Sequence, residues 1–87
     1  MLADFIQKSI SNQLQSNNKR TIKKSGTDIF LLYNATRPTV MVECGFISNR
    51  EELNNLKRYD YQQLMALSVA FGIINYNISE VTNGSEV

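Results

Sequence analysis

The chain has 87 residues, 43% of them apolar and 20% charged, and a formal net charge of +1. That length holds one small domain, burying about 60–65% of the surface its unfolded form exposes, and the near-neutral charge implies neither a nucleic-acid nor a strongly acidic partner. There is no histidine and a single cysteine, Cys44, which excludes an internal disulfide and leaves a catalytic zinc without its usual imidazole ligands.

From Leu2 to Leu14 the apolar residues Leu2, Phe5, Ile6, Ile10 and Leu14 form one stripe at helical spacing. The stripe predicts a helix over 2–16 whose apolar side faces a sheet or a second chain. No apolar run approaches a membrane span, and Met1-Leu2-Ala3-Asp4 lacks the basic start of a signal peptide. Ser16-Asn17-Asn18 ends the helix. Lys19, Arg20, Lys23 and Lys24 follow and read as a solvated face, with Thr21 and Ile22 permitting a short edge strand at 21–24.

Ser25-Gly26-Thr27-Asp28 is a turn by composition, and Ile29-Phe30-Leu31-Leu32-Tyr33 reads as a buried strand. Pro38 then opens a second one. Val40 to Val42 is apolar, Glu43 breaks the run, and Gly45 can supply the positive φ of a sharp turn, with Phe46 and Ile47 packing beneath it. Ser48 and Glu51 have capping-box spacing, which starts a helix at 49–57. A final helix over 61–76, with Asp60 as its cap and Gln63 at the capping-box position, is broadly apolar. Ala66, Ala70 and Gly72 would let it approach the sheet closely. Gly72 costs about 1 kcal/mol of helix propensity relative to alanine, which points to a packing reason for it. The expected fold class is therefore α/β: a partial sheet of short buried strands at about 29–33 and 39–44, with 21–24 at its edge, covered by helices at 2–16, 49–57 and 61–76. From Asn77 onward the chain turns polar and reads as a frayed tail over 77–87.

Glu43 is the candidate site residue. A carboxylate at the wet end of a strand is either a solvated or ion-paired structural group, or an acid/base group beside a cleft. The residues alone leave both readings open. No residue is singled out for binding substrate.

The stretch Pro38-Thr39-Val40-Met41-Val42-Glu43-Cys44-Gly45-Phe46-Ile47-Ser48-Asn49 resembles a segment of the zinc-dependent N-acetylmuramoyl-L-alanine amidases of the CwlD/AmiC type. That segment runs Pro-x-x-hydrophobic-hydrophobic-Glu-x-Gly-Phe-x-Ser-Asn. Weaker matches flank it in the family's order: Leu2-Ala3, Ile6-Gln7 and Ile10, then Arg20 and Lys23, then Asp60-Tyr61-Gln62 and Gly72-Ile73. The likeness extends from Leu2 to about Tyr76. It departs at Leu32-Tyr33, where the family commonly has Leu-Arg.

The resemblance implies a hydrolase that cuts the amide between N-acetylmuramic acid and L-alanine of the peptidoglycan stem peptide, outside the cytoplasm or in the cell wall. Zinc-activated water would be the nucleophile and Glu43 the general acid/base. The family's zinc ligands, two histidines and a glutamate, precede the first helix, so residues 1–76 look like the C-terminal half of an amidase domain. Zinc would serve the complete domain, and this chain alone would bind none and be inactive. Self-association, or pairing with an N-terminal half, is expected to cover the exposed edge. The alternatives are a non-catalytic module that binds cell wall or regulates an amidase, and a decayed remnant.

Overall fold

A computed structural model describes residues 1–24 and 26–82. The described residues form four helices: α1 (Leu2–Gln13), α2 (Phe30–Tyr33), α3 (Arg50–Leu56) and α4 (Tyr59–Glu80). There is no strand among the described residues, so the expected α/β class with a partial sheet is overturned and the fold is helical.

The α1 stripe finds its partner in α4. Ile6 and Ile10 are buried against Tyr61 and Met65, and Leu2 and Leu14 pack on that cluster. The apolar side of α1 therefore faces a helix of its own chain rather than a sheet or a second copy. The helices meet through small residues. Ser9 Oγ donates to the Ser68 carbonyl at 2.6 Å, and both serines are buried. A Cβ placed on Gly72 would lie 2.6 Å from Ile6 Cα. Gly72 thus has its packing reason, directed at α1. Ala66 and Ala70 are exposed and take no part in a close approach.

The expected strands fail because a strand exists only where a neighbour takes up its N–H and C=O groups. A short apolar run such as 29–33 fits a strand or a helical turn equally well. Here it closes as the single turn of α2, with Tyr33 N–H on the Ile29 carbonyl at 2.9 Å and Asn34 N–H on the Phe30 carbonyl at 3.0 Å. Phe30, Leu31 and Tyr33 remain exposed. Residues 39–44 do show the period of a strand: Val40, Val42 and Cys44 pack on the core while Thr39, Met41 and Glu43 face outward. With 21–24 irregular and exposed and 29–33 partly helical, no described residue offers this segment a ladder.

Helix ends differ from expectation by local hydrogen bonding. α1 stops at Gln13, short of 16, because Leu14 leaves helical geometry at φ −139°. The Gln15 N–H reaches back to the Ile10 carbonyl at 3.0 Å. α3 is capped by Asn49 rather than Ser48: Asn49 Oδ1 accepts from Glu52 N–H at 3.0 Å. α4 begins at Tyr59 with Arg58 at the cap position, so Asp60 lies inside the first turn and accepts from Tyr61 N–H at 2.8 Å. The helix runs on through Glu80, taking in residues 77–80 of the segment read as a polar tail. Ser25 of the expected turn and residues 83–87 of that segment lie outside the described residues.

Candidate active site

Glu43 sits on the exposed side of the extended segment, two residues before Gly45 and three before Phe46. Its neighbours in sequence, Val42 and Cys44, are half-buried on the core, so the backbone is anchored on one side while the carboxylate faces water. The carboxylate has no hydrogen bond or ion pair to any described residue. Glu43 lines neither of two surface grooves: one, of about 550 Å³, is lined by Gln15, Asn18, Arg20, Glu52, Asn55 and Tyr61 among others. A smaller one of about 380 Å³ lies over Ile47, Arg50, Leu53 and Lys57.

What holds the turn after Glu43 is Glu52. Its Oε1 accepts from the Phe46 backbone N–H at 2.8 Å. The same carboxylate takes a two-pronged hydrogen bond from the Arg20 guanidinium, at 2.9 and 3.3 Å. That geometry is the strong form of an arginine–carboxylate pair. Arg20 also covers the Phe46 ring, its Cζ 4.7 Å from the ring centroid, a cation–π placement. Phe46 and Ile47 are exposed, so Phe46 is held by the guanidinium on its face and not by burial under the turn.

Gly45 fits this arrangement by size. Its φ lies outside the left-handed region, contrary to expectation, and a Cβ there would stand 3.3 Å from Leu56 Cδ1 and 3.4 Å from Glu52 Oε1.

Arg20 is itself fixed from behind. Its N–H donates to Asn18 Oδ1 at 2.8 Å, and its carbonyl accepts from Gln7 Nε2 at 2.9 Å. Asn18 Nδ2 donates to Gln15 Oε1 at 2.7 Å, and Gln15 Nε2 to the Tyr61 hydroxyl at 2.6 Å. A continuous set of bonds thus runs from buried Tyr61 on α4, past the end of α1, to the turn beside Glu43. The Arg20 hydrogen bond, then the Phe46 N–H, holds the Glu52 carboxyl below the usual carboxylate range. Arg20 is correspondingly raised, chiefly by its hydrogen bond to Glu52. Of the basic cluster, Lys19, Lys23 and Lys24 are exposed as expected for a solvated face.

Sequence reasoning missed the Arg20–Glu52 pair. Arg20 and Glu52 are 32 residues apart, and charge signs alone do not match partners across such a gap. Asn49-x-x-Glu52 carries capping-box spacing and could have drawn attention to Glu52 in place of Glu51.

The donor set does not fit a zinc ion. The sequence has no histidine, and among the described residues no three His, Cys, Asp or Glu side chains lie close enough to share a metal.

The chain is 32% identical over 75 residues to the germination-specific N-acetylmuramoyl-L-alanine amidase of Bacillus subtilis (strain 168), covering 86% of this chain and 31% of that protein. It is 33% identical over 75 residues to the uncharacterized protein YqiI of the same organism, covering 86% of this chain and 35% of that one. The chain thus spans about a third of the length of the curated relatives it matches. No solved structure matches it. The family profile of N-acetylmuramoyl-L-alanine amidase matches residues 1–75, and the chain belongs to that family.

Proposed function

We propose that Glu43 is the proton-transfer residue of an amidase acting on peptidoglycan, and that this chain supplies that residue on a braced turn. The supporting observation is the contrast between carboxylates. Glu52 is fully engaged by Arg20 and the Phe46 N–H, whereas Glu43, three residues before Phe46, stands exposed and unpaired on an anchored segment. A carboxylate so placed can accept a proton from an attacking water and return it to a departing amine, which leaves poorly unless protonated. The bond cut would be the amide between N-acetylmuramic acid and L-alanine, and the place of action outside the cytoplasm, where peptidoglycan lies.

Proton transfer typically contributes about 10²–10⁴-fold in rate, far less than amide hydrolysis requires. The residues present do not fit zinc. The chain alone is therefore expected to release no stem peptides. That same donor set favours a second reading, a non-catalytic module that binds cell wall or regulates an amidase.

The test grafts residues 1–75 in place of the matched segment of the germination-specific amidase. Peptide release by the graft, lost in its Glu43→Gln variant with metal content unchanged, supports the first reading. Undiminished release by the Glu43→Ala graft removes the role given to Glu43. An inactive graft that leaves the ungrafted chain bound to insoluble wall favours the second reading.

A further inference from the structure

α4 is apolar on two sides. One side, Tyr61, Met65, Ser68 and Gly72, is buried. The other carries Leu64, Leu67, Phe71, Ile74, Ile78 and Val81, exposed by 46, 55, 50, 51, 58 and 67%. These six alternate at spacings of three and four, the 3.5-residue repeat by which one helix seats on another. Helical backbone geometry persists to Val81, whose φ and ψ are −65° and −41°. Gln63, Ala70 and Asn77, which flank the stripe, are uncharged and exposed, so no like charges oppose a close approach.

We infer that this stripe is the contact surface for a second copy of the chain, with two α4 helices pairing antiparallel across a two-fold axis. The stripe is symmetric about the point midway between Phe71 and Ile74. Reversal sets Leu64 against the partner's Val81, Leu67 against the partner's Ile78 and Phe71 against the partner's Ile74. An isologous contact has this self-complementarity, and antiparallel helices also oppose their dipoles favourably. Six half-exposed side chains of this size cover roughly 500–600 Å² per copy. The pair would thus bury on the order of 1,100 Å², which just clears the size of a specific interface. A contact at that lower limit is of the weak, reversible class, expected in the micromolar range. It is independent of any role for Glu43.

Sedimentation equilibrium of the whole chain from about 5 to about 200 µM spans that range. The expected result is a mass rising from one chain toward two, and a monomer throughout for Phe71→Glu with its helical circular dichroism retained. Should that variant lose helicity, Leu67→Gln supplies the same comparison with a milder change. Register is read in a Cys44→Ser background. Leu67→Cys chains mixed with Ile78→Cys chains should cross-link on oxidation, and Leu67→Cys chains alone should not. A monomer at every concentration overturns the proposal, as does association unchanged in Phe71→Glu and Leu67→Gln. Self-cross-linking of Leu67→Cys refutes the antiparallel arrangement. A chain that stays monomeric but joins the remaining part of an amidase domain assigns the stripe to that partner and overturns pairing with a second copy.

Discussion

Replacing Gly72 by alanine should destabilise the protein even though alanine is the better helix former. In an unobstructed helix the exchange gains about 1 kcal/mol. Here the new Cβ would stand 2.6 Å from Ile6 Cα and 3.0 Å from both Ile6 N and Phe5 O. All three atoms are backbone, so no side-chain rotation relieves the clash, and α1 must shift outward by about 1 Å to reach ordinary contact. Overpacking of this kind typically costs about 1–3 kcal/mol. The shift also stretches the 2.6 Å bond from Ser9 Oγ to the Ser68 carbonyl, which is buried and worth about 1 kcal/mol net. Subtracting the propensity gain leaves a loss of about 1–3 kcal/mol. For a domain this small each kcal/mol lowers Tm by about 4–8 °C, so thermal unfolding followed at the helical dichroism band should resolve the effect. Ala70→Gly, on the exposed side of the same helix, calibrates propensity alone. A Gly72→Ala protein with an unchanged or higher Tm would refute the close approach of α1 and α4.

Two further outcomes follow from the turn beside Glu43. Asn49→Ala should cost about 0.5–2 kcal/mol through loss of the α3 cap, and Ser48→Ala close to nothing; the reverse order in denaturant titrations would return the cap to Ser48. Acidification should weaken the fold through Glu52, whose folded-state pKa lies below its ordinary value of 4.5, first through the Arg20 hydrogen bond and then the Phe46 N–H. The stability it contributes is present above that ordinary value and lost as pH falls through the folded one. Asp60, lowered chiefly by Arg58, adds a contribution of the same sign. The decline in Tm on acidification should therefore be flattened in part by Glu52→Gln; an identical decline in the variant would mean the pair with Arg20 contributes nothing.

The helices were legible in the sequence because α1 carries one apolar stripe at helical spacing and α4 is a long, broadly apolar run. Their ends were not, since Leu14, Asn49 and Arg58 are placed by single hydrogen bonds and backbone angles that many residues could supply. The strands misled for a different reason. Val40, Val42 and Cys44 point inward with period two, but Met41 between them is exposed, so the run expected to be buried throughout is covered on one face only. Pairing, however, is a property of two segments, and Ile29–Tyr33 closed on itself instead. Glu43 drew notice through its motif. Glu52, which fixes the turn beside it, depends on Arg20 arriving from a loop that only the folded chain brings near.

The dominant helix pairing joins the first helix to the last. Ile6 meets Gly72, and Ser9 meets Ser68, across more than half the chain length. Such contacts raise the contact order of a helical protein, and a higher contact order slows folding. Everything from Leu14 to Arg58 must be gathered into a loop before α1 and α4 reward the closure, and that entropy is spent in advance. Helices that form early would hold open apolar faces until the two ends meet. The Ser9–Ser68 contact therefore works as a latch: shortening the loop between the helices should speed closure more than any strengthening of α4 itself.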